Sequence, residues 1–163
     1  DRLENGVRIT RWLIEFDPPP LFAKAGGFNG KVDRWQIATW TAPATLAFDV
    51  GCAAAGTGAP EGDRSQGISI WSMHLITPET ETTCHYFYAH ARHFAQDSKE
   101  VDELYRVGFR NVFMEDVTVF DAQQANYDRF PDHHEVDITT DGPGMNIRRM
   151  IESRIAAESE AAE

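Results

Sequence analysis

The sequence predicts an α+β fold, with an antiparallel sheet laid down first and helices packed on it afterwards. Three observations carry that prediction. Between Val7 and Phe94, β-branched and aromatic runs alternate with connections rich in Gly and Pro. From Asp97 to Gln124 the apolar residues recur at helical spacing, and a second helical pattern starts at Asp141. No internal repeat and no linker-like stretch divides the chain, so residues 1–163 read as a single domain.

Composition narrows the classes of function. A chain of 163 residues can bury one sizeable core, and 42% hydrophobic with 25% charged residues is the balance of a globular protein. Fifteen Lys and Arg against 26 Asp and Glu give a net charge of −11 with no basic run. Such a surface argues against nucleic acid or an anionic membrane as a partner. No apolar stretch approaches the ~20 residues of a membrane helix, and no signal peptide opens the chain. Cys52 and Cys84 make no disulfide framework, which suits a reducing cytoplasm. The chain opens without Met and runs into strand-like sequence at Gly6, which points to a portion of a longer protein.

Val7 to Phe16 is the first strand, and its alternation changes phase near Arg11, as a β-bulge would make it. Asp17-Pro18-Pro19-Pro20 ends it, and Lys24 to Lys31 reads as a Gly-rich mobile loop. Asp33 to Thr41 and Thr45 to Cys52 follow as strands around Pro43, with Leu46, Phe48, Val50 and Cys52 on one face. Cys52 reads as a small buried apolar residue. Gly56 to Gly67 is a polar connection.

Gly67 to Ile76 and Thr82 to Phe94 form a hairpin through Thr77-Pro78-Glu79-Thr80-Glu81. A turn symmetric about Glu79 and Thr80 sets His74 opposite His85, both beside Phe87 and Ala89. The two imidazoles are then either satisfied core groups or substrate-binding groups in a pocket.

The long helix starts at Asp97, whose partner in a capping box is Glu100. Its apolar face holds Leu104, Phe109, Val112, Phe113, Val119 and Phe120, and Asp116 falls on the same face. A carboxylate there is paired with a neighbouring Arg or backbone amide, protonated, or bound to a metal. Tyr127 to Thr140 is irregular, and the adjacent His133 and His134 read as solvated. Asp141 caps a last helix with Pro143 in its first turn and Ile147, Met150, Ile151 and Ile155 as its stripe; the end from Ala156 frays.

Two stretches carry a resemblance. Leu75-Ile76-Thr77-Pro78-Glu79-Thr80-Glu81-Thr82-Thr83-Cys84-His85-Tyr86-Phe87-Tyr88 resembles the hairpin of vanillate O-demethylase oxygenase components. Val112-Phe113-Met114-Glu115-Asp116, followed by Asp121-Ala122-Gln123-Gln124, resembles their catalytic helix. The family is the vanillate O-demethylase and dicamba monooxygenase group of Rieske non-haem iron oxygenases. The resemblance implies a helix-grip (START-like) fold, a curved antiparallel sheet around long helices. It also implies that Asp116 is the catalytic carboxylate ligand of a mononuclear Fe(II), beside two histidines. His74 matches the family's substrate-facing histidine. The resemblance further implies an aromatic substrate, O₂, electrons from a reductase component, and a head-to-tail homotrimer for the intact protein.

The family pattern is incomplete here. A Rieske [2Fe–2S] cluster needs Cys-x-His and Cys-x-x-His pairs, but Ala53 and Ala54 follow Cys52, and His85, Tyr86 and Phe87 follow Cys84. The upstream pair of iron-ligating histidines is missing too. One of three iron ligands and none of the cluster lie in this chain, so turnover by the chain alone is not expected. Three readings follow: the catalytic-domain portion of an aromatic monooxygenase or O-demethylase, a non-catalytic helix-grip module for an apolar ligand, or a separate metal site of His74, His85 and Asp116.

Overall fold

The computed structural model describes residues 1–132, 134 and 136–161. Six strands make one antiparallel sheet in chain order: β1 (Arg2–Leu3), β2 (Gly6–Phe16), β3 (Val32–Thr41), β4 (Thr45–Ala54), β5 (Ile68–Pro78) and β6 (Cys84–Arg92). Three helices accompany it: α1 (Pro20–Gly26), α2 (Lys99–Arg129) and α3 (Gly142–Ala161), the last preceded by a 3-10 turn at Thr139–Asp141. This is the expected α+β order of strands followed by helices. No helix among the described residues is long and apolar enough to cross a membrane.

The register sorts side chains between two faces. Leu46, Phe48, Val50 and Cys52 of β4 stand beside Trp40, Ala38, Gln36 and Arg34 of β3, and beside His74, Ser72, Ile70 and Ile68 of β5. This inner face meets the helices: Val32, Cys52 and Ile70 form a buried cluster with Phe22 of α1 and Tyr105 of α2. The opposite face has its own centre, where Trp35, buried with Ala53 and Ala59, gives its indole N–H to Asp49 at 2.9 Å. Arg64, from the connection between β4 and β5, pairs with Asp49 at 2.8 Å and lies over the Trp35 ring.

Several local expectations change. The break in β2 lies between Leu13 and Phe16, where Glu15 has φ 50°, not near Arg11. Arg11 pairs in register with Gln36, so the phase change in the sequence marks an exposed polar residue on the helix-facing side of the sheet. The stretch after the prolines is helical from Pro20 to Gly26. Pro is well suited to a first helical turn, and Gly27 closes the helix at φ 66°. Ser98, not Asp97, is the N-cap of α2, its hydroxyl accepting from the Val101 N–H at 3.3 Å. The helix continues to Arg129, five residues past Gln124, helped by Gln123 to Tyr127 and Gln124 to Asp128 side-chain bonds of 2.9 Å. His133 and Glu135 lie outside the described residues.

The hairpin register matters most for the site. His74 stands opposite Tyr88, and His85 opposite Thr77. The two histidines therefore occupy opposite faces, and the pairing of His74 with His85 is corrected.

Candidate functional site

The inner face of β5 and β6 carries Ser72, His74, Tyr86, Tyr88 and His90 by the period-two rule. Across from them α2 presents Tyr105, Phe109 and Phe113, spaced four residues apart and so on one side of the helix. Their rings follow one another at centroid distances of 5.6 and 6.1 Å, nearly parallel. A cavity of about 270 Å³ lies between the sheet and this row, lined by Ile70, Tyr88, His90, Tyr105 and Phe109 among others.

His74 is buried and fully engaged. Its Nε2 lies 2.7 Å from the Ser72 hydroxyl, and its Nδ1 meets the Tyr86 hydroxyl. The Phe48 and Phe113 rings stand edge-on to it at 5.1 and 5.6 Å. Burial lowers its pKa, so the ring is held neutral. The Tyr86 hydroxyl is pushed up by burial first, then by the Asp116 carboxylate and by Tyr88.

His90 differs. It stacks on Phe109 at 3.9 Å and 19°, and both ring nitrogens are closed off from solvent without a hydrogen-bond partner among the described residues. Burial, with a smaller contribution from His74, brings its pKa down to about 4. The sequence reading missed this residue. The alternation Tyr86, Tyr88, His90 on β6 was the available signal, but Phe87 and Ala89 make the other face of that strand apolar as well.

Asp116 follows Phe113 by three residues on α2, yet it is exposed rather than set in an apolar interior. The helix face around it is itself open: Val112, Val119 and Phe120 are 45%, 64% and 59% exposed. Its carboxylate makes no hydrogen bond or ion pair with any described residue, and its influence falls on the Tyr86 hydroxyl. His85 sits on the outer face, exposed, 3.5 Å from Glu79. No group of three or more His, Cys, Asp or Glu able to hold a metal occurs among the described residues, so His74, His85 and Asp116 do not form a centre of their own.

Known proteins resemble this chain in sequence and in fold. The chain is 39% identical over 150 residues to the toluene-4-sulfonate monooxygenase system iron-sulfur subunit TsaM1 of Comamonas testosteroni, covering 91% of this chain and 43% of that protein. It is 33% identical over 168 residues to the vanillate O-demethylase oxygenase subunit of Pseudomonas sp. (strain HR199 / DSM 7063), covering 99% of this chain and 48% of that one. The chain thus spans about half the length of the curated relatives it matches. Among solved structures, dicamba monooxygenase bound to 3,6-dichlorosalicylic acid superposes with a TM-score of 0.88 at 24% identity, over 98% of this chain and 46% of that one. That likeness establishes the fold expected from the resemblance. The family model for the vanillate O-demethylase oxygenase C-terminal domain matches residues 1–157, and the chain belongs to that family.

Proposed function

We propose that this chain is the catalytic-domain portion of a Rieske-type aromatic monooxygenase or O-demethylase, with Asp116 as the carboxylate ligand of a mononuclear non-haem Fe(II). One observation carries the reading: an Asp116 carboxylate beside Tyr86, at the end of an aromatic row, with no partner among the described residues. A free anionic oxygen ligand fits the carboxylate position of a two-histidine, one-carboxylate site. On this reading the two imidazoles come from residues beyond this chain; among the described residues no three-ligand group occurs. The iron, when bound, supplies the activation of O₂.

The chain's own residues shape where that chemistry happens. Tyr88, Tyr105 and Phe109 give the cavity an aromatic wall that an aromatic ring can pack against, with Arg92, Asp102 and Arg106 also in its lining. Ser72 and Tyr86 fix both nitrogens of His74, so that ring is held rigidly on the same inner face. His85, on the outer face, has no part in this reading. The relatives' names support an iron–sulfur protein within an oxygenase system. On this reading the full-length protein carries a [2Fe–2S] cluster, takes electrons from a reductase component, assembles as a homotrimer and works in the cytoplasm.

The test is Asp116→Ala in the full-length protein, with mononuclear iron and Rieske absorbance measured on the same preparation. Loss of the mononuclear iron with the Rieske signal intact is expected. Mononuclear iron retained at the wild-type level would refute the assignment.

A further inference from the structure

Two imidazoles line the inner face of the hairpin, and only one has its nitrogens free. His74 has spent both, on Ser72 and Tyr86. His90 has spent neither, although both are closed off from solvent. A buried polar atom left unpaired is costly, so a fold seldom keeps two on one side chain without a use. His90 is nevertheless held firmly, its ring stacked on Phe109 and tilted against Tyr88 at 5.5 Å. It also lines the cavity between β6 and α2. At about 270 Å³ that cavity lies just below the usual range of ligand sites, roughly 300 to 1,000 Å³, and suits no more than a single ring.

Resting on the oxygenase reading, we propose that His90 is the residue that recognises the substrate's polar substituent, giving a ring N–H to an oxygen of a single-ring aromatic compound. Two cations also line the cavity, and both are engaged: Arg92 with Asp102 and the carbonyls of Phe94 and Ala95, and Arg106 with Glu103. The imidazole therefore meets the ligand as a neutral donor backed by an aromatic plane.

The experiment measures binding and stability together in the full-length protein. Toluene-4-sulfonate and benzoate are titrated calorimetrically into wild type, His90→Phe and His90→Gln, with toluene as the ring that has no acceptor oxygen. His90→Phe is expected to weaken sulfonate or carboxylate binding about tenfold, the loss of one hydrogen bond, and to leave toluene unchanged. It should keep or raise the melting temperature, since an orphaned polar ring gives way to an apolar one. His90→Gln, which keeps a donor, should recover part of the affinity. Equal binding of the oxygenated rings by wild type and His90→Phe overturns the inference, as does a lowered melting temperature or the absence of saturable binding by any probe. Iron content separates the two readings. Wild-type iron and turnover with binding indifferent to His90 sinks the inference alone. His90-dependent binding in a protein without mononuclear iron sinks the oxygenase reading alone.

Discussion

The Tyr86 hydroxyl meets Nδ1 of His74 from the neighbouring strand, two residues along from Tyr88, which stands directly opposite. The bond runs diagonally over the inner face, so it ties the pairing of β5 and β6 to the orientation of one buried ring. Ser72, on the same strand as His74, holds the other nitrogen at 2.7 Å. Tyr86→Phe keeps the ring and removes only the hydroxyl, which leaves Nδ1 buried and unpaired. Stability should fall by about 1–3 kcal/mol, read as a lowered urea midpoint with an unchanged slope.

Acid should act through the same imidazoles. His74 and His90 both have pKa values lowered from 6.5 by burial, His90 to about 4. The unfolded chain therefore binds more protons than the folded one between these values. Their contribution is fully present above pH 6.5 and is lost as pH falls toward about 4. Melting temperature against pH should decline across that window, and less steeply in His90→Phe. Parallel curves for the two proteins would show that His90 does not titrate there.

Gly51 leaves no room for a side chain on the outer face. A Cβ added there would lie 2.3 Å from Cζ2 of the Trp35 ring and 2.5 Å from the Ile68 carbonyl oxygen. Trp35 is almost fully buried, so it has no room to withdraw. Gly51→Ala should destabilise by about 1–3 kcal/mol through overpacking, seen as a shift of the denaturation midpoint.

Asp116→Ala should leave stability within about 0.5 kcal/mol, because the side chain is exposed and has no described partner to strand. A loss of several kcal/mol would instead reveal a structural ion pair.

The chain by itself should bind Fe(II) weakly. A single carboxylate offers no chelate, and no three-ligand group exists among the described residues. Anaerobic titration with Co(II), followed by its ligand-field absorption, should show no stoichiometric uptake. Tight uptake abolished by His74→Ala would contradict the ligand count.

Much of the fold is legible in the sequence because strand and helix periods differ. The strands around Pro43 and the long helix with Asp116 appear within a few residues of their observed bounds. What is not legible depends on geometry that periodicity does not encode. Cap choice between Asp97 and Ser98 turns on the backbone angles of Ser98. The helix Pro20–Gly26 hides behind three prolines that also suit a strand end. Arg11 imitates a bulge because an exposed polar side chain stands on the helix-facing side of the sheet. His90 stays hidden for a related reason. Both faces of β6 carry aromatic residues, so hydrophobicity alone cannot choose the one that meets α2.

The turn between Pro78 and Cys84 holds five residues, 79–83, and Thr80 anchors it by accepting from the Thr83 N–H at 3.1 Å. Its length acts as a parity setting for the pocket. One residue added or removed, and passed on into β6, would turn that strand over. Tyr86, Tyr88 and His90 would go to the outside, and His85, Phe87 and Ala89 would come in. Two residues would keep the face and slide its contents by one pair. Evolution or design can therefore vary this loop in even steps while keeping imidazole chemistry in the cavity, whereas an odd step replaces that lining with one that is mostly hydrocarbon.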